Sequence, residues 1–333
     1  MRSLVTGGSG FVGRALVDAL VERGDDVTVL DVTPEGPRPD IRYLRVDLRD
    51  SDETAAACEN QDVVFHTASL VHTRRNREEE IHAVNVGGTE NVMAGCRAHG
   101  VPRLVYLSSA SVVYEGVDIC NGDESLPHST SQQAPYAESK IEAERLVLAA
   151  NDRELATVAI RPHVVFGPGD QRFIPAIVGK AREGKLRWSV GWERKLSDFT
   201  WIGNLVDSLL LADERLKPGS AVAGQAYFIT NGEPIPFWAF IEQLLARMDF
   251  PPIRGAVPYS LAYAVAAVVE SLDTLRGGTL NSEDGFSRFA IRYMCTHHYF
   301  SIDKARRDLG YEPRVSIAEG IDLTAANLEA AAL

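Results

Sequence analysis

The sequence predicts an α/β protein built on a doubly wound parallel sheet, followed by a smaller C-terminal part that carries the substrate. Three observations lead there. Short β-rich runs alternate with helical patterns through the first half, the runs are almost continuously apolar, and the rhythm breaks after about residue 166. Strands that are apolar on both faces need helices on both faces, which parallel sheets provide. The right-handed crossover rule then winds the sheet in two directions from its centre.

The expected strands are Ser3–Thr6, Val27–Asp31, Ile41–Val46, Val63–Thr67, Arg103–Ser108 and Thr157–Arg161. Between them lie the helical patterns Val12–Arg23, Glu80–His99 and Tyr136–Ala150. The chain of 333 residues is long enough for about two domains. Residues 1–166, with a returning helix and strand at about 203–232, form the expected cofactor domain; 167–202 and 233–333 form the substrate domain.

A net charge of −12 argues against nucleic acid as a partner. The four cysteines are scattered, without a Cys-x-x-Cys pair, which fits reduced thiols in a cytoplasmic protein. The histidines show no ligand spacing, so no metal is expected. The apolar stretch 256–269 falls short of the roughly 20 residues that span a bilayer. It reads either as a buried amphipathic helix or as a lid over the substrate that touches a membrane only peripherally.

The first strand runs into Gly7-Gly8-Ser9-Gly10-Phe11-Val12-Gly13 and then into an amphipathic helix. Gly7, Gly10 and Gly13 permit a tight turn and a close approach of backbone to a pyrophosphate, with the helix N-terminus (Phe11, Val12) offering N–H donors to the anion. A glycine loop alone is a weak signal. Here Asp31 ends the second strand, where a carboxylate accepts both ribose hydroxyls and repels a 2′-phosphate. The combination predicts NAD rather than NADP, although Arg38 or Arg42 nearby would oppose that preference if free.

Strand Arg103–Ser108 ends in Ser108-Ser109-Ala110-Ser111, and Tyr136-Ala137-Glu138-Ser139-Lys140 opens a helix. A tyrosine and a lysine four apart share one helix face. Together with the loop and Asp31, these residues resemble the short-chain dehydrogenase/reductase superfamily, extended branch, whose pattern is a Ser or Thr plus Tyr-x-x-x-Lys on a Rossmann sheet. The resemblance implies Tyr136 as the base, Lys140 as its electrostatic activator and a ribose ligand, and Ser109 as the hydrogen-bond partner of the substrate oxygen. Ser111 is the alternative to Ser109, and Ser108 is expected to be structural. A tyrosine with an ordinary pKa near 10 is a poor base at neutral pH, and a neighbouring ammonium favours the phenolate.

The same resemblance assigns Asp47 and Leu48 to an adenine contact, and Thr67, Ala68 and Ser69 to a floor of small residues under the cofactor. It places Asn85 near the nicotinamide, where a helix hydrogen-bonding role is an equal alternative, and lines the nicotinamide side with Pro162 and His163.

Longer runs narrow the likeness. Tyr114-Glu115-Gly116-Val117-Asp118-Ile119, Ala159-Ile160-Arg161-Pro162-His163, Asp198-Phe199-Thr200 and Glu233-Pro234-Ile235-Pro236-Phe237-Trp238 are similar to the 3β-hydroxysteroid dehydrogenases. Among those the chain most resembles the decarboxylating sterol-4α-carboxylate 3-dehydrogenases. That implies NAD-dependent oxidation of a sterol 3β-hydroxyl, a homodimer, and a cation to meet the substrate carboxylate, with Arg74, Arg75, Arg172 and Lys195 as candidates. A simple 3β-hydroxysteroid dehydrogenase and a long-chain β-keto acid reductase are the enzymatic alternatives. A non-catalytic dinucleotide sensor would not need Ser109, Tyr136 and Lys140 together.

Overall fold

The computed structural model describes residues 1–71, 77–130, 135–191, 194–277 and 287–330. Its centre is a seven-stranded sheet in the spatial order Arg42–Arg45, Asp26–Asp31, Arg2–Thr6, Val63–His66, Arg103–Leu107, Ala156–Pro162, Gln225–Ile229. Every pairing is parallel, from Ser3 beside Val27 to Ala226 beside Ala159. The order reverses at Arg2–Thr6, so a crevice opens at the carboxyl ends between that strand and Val63–His66, where such sheets take ligands.

Alternate residues of each strand feed two cores. Val5, Val29, Phe65, Val105 and Ile160 pack with Leu16 and Leu20 of helix Phe11–Glu22 and Leu205 and Leu209 of helix Ile202–Arg215. Leu4, Leu30, Val64, Leu104 and Ala159 face the other way, onto Val92 and Cys96 of helix Gly88–Ala98 and Ala143 and Val147 of helix Pro135–Ala149. This double coverage is why the strands read as unbroken apolar runs. The returning strand is real and joins the sheet edge beside Ala156–Pro162.

One element differs from expectation, and one of two open alternatives falls. The helix expected over 80–99 is divided: Glu78–His82 passes through a wide π turn, Ala83–Gly87, into Gly88–Ala98. Such turns insert one extra residue and turn a side chain off the helix register. The apolar stretch 256–269 is a short strand, Gly255–Val257, followed by helix Tyr259–Leu275. That helix is not buried: Ala262 and Ala266 pack inward with Val190 and Ile291, while Leu261, Val265, Val268, Leu272 and Leu275 face solvent. No described helix is long and apolar enough to cross a membrane.

Candidate active site

Gly7 turns the chain at φ +71°, and a Cβ there would lie 2.6 Å from the Ala68 Cα. A Cβ on Gly13 would run into the Gly7 carbonyl. The loop is therefore closed against the Thr67-Ala68 strand end by backbone alone. Gly10 precedes helix Phe11–Glu22 without a capping side chain, leaving the first-turn N–H groups, those of Phe11, Val12 and Gly13, to a ligand.

Asp31 faces this loop. Its carboxylate accepts from the Ser9 N–H at 2.9 Å and the Val32 N–H at 2.7 Å, which fixes it at the edge of the cradle. Arg38 is committed elsewhere, to Asp40 and Asp18, each at 2.8 Å. Arg42 pairs across from Thr28, at the other end of the strand from Asp31. The Ser9 and Ser69 hydroxyls are buried without a hydrogen-bond partner. Orphaned hydroxyls beside a cradle that no side chain can enter fit a polar dinucleotide.

The floor is wired by a histidine that sequence reasoning missed. The Thr89 hydroxyl donates to the Asn85 carbonyl at 2.6 Å, so it accepts from His66 Nε2 at 2.9 Å. His66 Nδ1 is then the acceptor for the Thr6 hydroxyl at 2.6 Å. Burial, with the Lys140 charge nearby, pulls His66 down to about 3 and keeps it neutral. Thr67 donates its hydroxyl to the Thr6 carbonyl at 2.7 Å, tying the two strand ends across the crevice.

Asn85 leaves the π turn and bridges Leu70, through N–H and carbonyl at 2.7 and 3.2 Å, to the Ser139 hydroxyl at 2.9 Å. Its side chain thus joins the segment after Ser69 to the Tyr136 helix. Asp47 is held by the Arg49 guanidinium at 2.5–3.1 Å on the surface, and Arg49 draws its carboxyl below the usual range. Leu48 is buried against Gly88.

Tyr136 and Lys140 lie on helix Pro135–Ala149, beside the end of strand Arg103–Leu107. The Lys140 ammonium is buried and donates to the Leu107 carbonyl at 2.7 Å and the Tyr106 hydroxyl at 3.3 Å. Burial lowers Lys140 to about 7, with Glu144 opposing the fall. Tyr136 is close enough to Tyr106 to help raise it, after burial.

Ser109 caps the short turn Ala110–Val113 and accepts from the Ser111 N–H at 3.2 Å and hydroxyl at 2.9 Å. The Ser109 hydroxyl, an acceptor in both bonds, keeps its own proton for another oxygen. Ser108 is engaged separately, in a buried bond to Glu144 at 2.5 Å.

Pro162 ends its strand, and His163 follows with its N–H and carbonyl both bonded to the Thr200 hydroxyl, at 3.2 and 2.6 Å. The His163 ring meets His298 at 2.7 Å and the Tyr293 hydroxyl at 3.1 Å. Tyr293 stacks on His298 at 4.1 Å and sits edge-on to Tyr114 at 5.5 Å, with Phe289 and Phe237 beside it. An aromatic wall thus links the serine turn, the Pro162 strand end and helix Arg288–Met294.

Of the carboxylate-binding candidates, Lys195 is paired with Asp118 at 3.1 Å. Arg172 is exposed at the start of helix Phe173–Arg182, and Arg74 and Arg75 lie outside the described residues. Glu144, Tyr106, His66 and His298 are the residues sequence reasoning passed over. Only Glu144 carried a signal, since Tyr136, Lys140 and Glu144 repeat every four residues along one helix face.

The model of the 3-beta hydroxysteroid dehydrogenase/isomerase family matches residues 4–256. A 2-alkyl-3-oxoalkanoate reductase of Stenotrophomonas maltophilia is 42% identical over 325 residues, covering 96% of this chain and 97% of its own. The mouse decarboxylating sterol-4-alpha-carboxylate 3-dehydrogenase is 38% identical over 322 residues, covering 96% and 89%. Among solved structures, an epimerase of Methanothermobacter thermautotrophicus superposes with a TM-score of 0.77 at 26% identity, over 99% of this chain and 92% of its own.

Proposed function

The chain belongs to the 3-beta hydroxysteroid dehydrogenase/isomerase family, and from that footing we propose that it oxidises the 3β-hydroxyl of a 4α-carboxysterol with NAD, yielding the decarboxylated 3-ketone. The observation that supports this reading is that the buried Lys140 ammonium, one helical turn from Tyr136, donates to the Leu107 carbonyl at 2.7 Å, at the end of the strand that leads into Ser109. In it, residues 1–166 with about 203–232 hold the cofactor, and 167–202 with 233–333 hold the substrate.

Gly7, Gly10 and Gly13 with the helix N-terminus would hold the pyrophosphate, Asp31 the adenosine ribose, and Pro162 and His163 the nicotinamide side. NAD, when bound, supplies the acceptor for the hydride leaving the carbinol carbon. Tyr136 takes the hydroxyl proton as phenolate, and the Lys140 ammonium favours that ionised form. Ser109 donates its free proton to the substrate oxygen, which keeps the reacting carbon in place. The ketone so formed lies β to the carboxylate. The C–C bond to the carboxylate then breaks, its electron pair passes into the enolate, and a proton returns to the ring carbon.

The names of both relatives support a common substrate unit. A sterol 4-carboxylate oxidised at C3 and a 2-alkyl-3-oxoalkanoate each place the reacting carbon β to a carboxylate on an alkylated carbon. The aromatic wall of Tyr114, Phe237, Phe289 and Tyr293 supports an apolar body on that unit. The higher identity to the reductase favours a second reading, NADH-dependent reduction of a long-chain β-keto acid. One experiment separates them: incubation with 4-carboxysterols, plain 3β-hydroxysteroids and 2-alkyl-3-oxoalkanoates, following NADH and product mass. The first reading expects NADH and carbon dioxide in equal amounts from the carboxysterol alone. Turnover of only the plain steroid, or of only the oxoalkanoate, replaces it.

The exposed stripe Leu261, Val265, Val268, Leu272 and Leu275 supports peripheral membrane contact through helix Tyr259–Leu275. Cosedimentation with lipid vesicles, lost on Val268→Asp, is the expected result; a wild-type chain left in the supernatant removes this part of the reading. Sedimentation without lipid tests the homodimer.

A further inference from the structure

The buried carboxylate of Glu144, one turn beyond Lys140, has no part in the chemistry above. Its side chain is wholly inaccessible to solvent. Oε2 accepts from the Ser108 hydroxyl at 2.5 Å and Arg161 Nε at 2.9 Å; Oε1 accepts from Arg161 Nη2 at 2.5 Å and His128 Nε2 at 2.6 Å. Arg145 donates to His128 Nδ1 at 3.2 Å, which assigns the His128 proton to Nε2, facing Glu144. These donors come from the places that matter. Ser108 precedes Ser109, Arg161 precedes Pro162 and His163, and Glu144 itself shares a helix with Tyr136 and Lys140.

Stability alone gives little reason for this arrangement. A buried ion pair at best roughly breaks even against apolar side chains of similar volume, because both ions give up water. We propose that Glu144 is a positioning residue: one carboxylate locks the serine strand, the Pro162 strand and the Tyr136 helix into register, and it places a buried negative charge one helical turn from the Lys140 ammonium. The proposal rests on Tyr136 and Lys140 being catalytic.

The charge environment is defined. Lys140 meets the Tyr106 hydroxyl and the Leu107 carbonyl, with Glu144 acting on it, neutral His66 within reach of its charge, and Tyr136 acting on Tyr106. Glu144 faces Arg161, His128 and Ser108, and Glu124 and Lys304 act on the far side of Arg161. Burial works to raise Glu144, but its donors, led by His128 and Arg161, hold it down to about 2, so it is charged at every working pH. Lys140, pulled by burial to about 7, is the group that responds. Once Lys140 loses its proton, Tyr136 loses the field that favours phenolate, and the rate falls on the alkaline side.

The test is the pH profile of kcat in folded variants. Glu144→Gln should move the alkaline limb down by about one pH unit, near a tenfold loss on that limb, with KM for NAD changed less than about threefold. Glu144→Asp keeps the charge and should leave the limb in place even where kcat falls. Arg161→Gln removes the opposing cation and should move the limb up, which keeps the proposal testable if Glu144→Gln does not fold. Ser108→Ala cuts only a tether and should lower kcat, by on the order of tenfold, without moving the limb. A folded Glu144→Gln or Arg161→Gln protein with the wild-type limb overturns the proposal. Tyr136→Phe is the control for its basis: turnover retained there refutes the catalytic reading itself, whatever Glu144 does.

Discussion

Acid should weaken this fold well before its exposed carboxylates protonate, because it buries neutral histidines. His66 is held at about 3 and His298 at about 4, both chiefly by burial, and His163 is held well below the usual value by burial and by His298. In the unfolded chain each binds a proton near pH 6.5. A base depressed in the folded state contributes stability above its unfolded pKa and loses it as pH falls. Each fully depressed histidine therefore removes about 1.4 kcal/mol per pH unit below 6.5, or about 2 kcal/mol on reaching pH 5. His66 and His298 together remove about 4 kcal/mol over that range. Asp198 works in the opposite direction: burial raises it to about 7, so the folded state holds a proton that the unfolded state has released. It returns about 2 kcal/mol over the same range, leaving a net loss of about 2 kcal/mol before His163 adds to it. Urea denaturation followed by tryptophan fluorescence from about pH 7 to about pH 5 reads this directly. His66→Gln, whose amide oxygen can accept from Thr6 and whose amide nitrogen can donate to Thr89, should flatten the slope by about 1.4 kcal/mol per unit. A stability that stays level or rises toward pH 5 would refute the account.

The remaining predictions concern the site. Tyr136→Phe should abolish hydride transfer with NAD affinity nearly intact, whereas Lys140→Ala should damage both; steady-state kinetics with cofactor titration separates the two. Asp31→Ala should narrow the preference for NAD over NADP by on the order of tenfold, through loss of one negative charge facing a 2′-phosphate, and a wild-type chain that binds NADP more tightly contradicts the role. Gly13→Ala forces a Cβ into the Gly7 carbonyl and should weaken NAD binding at least about tenfold, measured by fluorescence titration, with a loss of about 1–3 kcal/mol in stability.

The sheet was legible because its strands are covered on both faces, which makes apolar runs such as Val63-Val64-Phe65 unmistakable beside periodic helices. The cradle was legible because glycine spacing, strand end and Asp31 lie within one βαβ unit. Residues that meet across long sequence distances were not. His163 and His298 are 135 positions apart, Ser108 and Glu144 36 apart, and nothing local marks either pair. Helix Tyr259–Leu275 stayed open between two readings for another reason: a sequence pattern shows that one face is apolar, but not whether that face is turned inward. Here the small alanines pack and the larger Leu and Val side chains are left outside. The π turn at Asn85 was hidden because one extra residue does not disturb the helical pattern on either side.

Under the proposed function, direction of flux would depend on chemistry that the proposed catalytic residues do not set. In the proposed roles, Ser109, Tyr136 and Lys140 would serve oxidation and reduction equally, since the proton Tyr136 removes in one direction is the proton it returns in the other. What differs is the fate of the β-keto acid. If it keeps its carboxylate, the ratio of NADH to NAD decides which way the reaction runs. If it loses carbon dioxide, the product can no longer return to the β-hydroxy acid, and the same site would run only as a dehydrogenase. For a carboxylate substrate, the groups that orient the carboxylate would therefore determine direction as well as specificity, because the C–C bond breaks readily only when its electron pair aligns with the new carbonyl. Lys195, paired with Asp118 at 3.1 Å, would have to exchange that partner for a substrate carboxylate to take the orienting role.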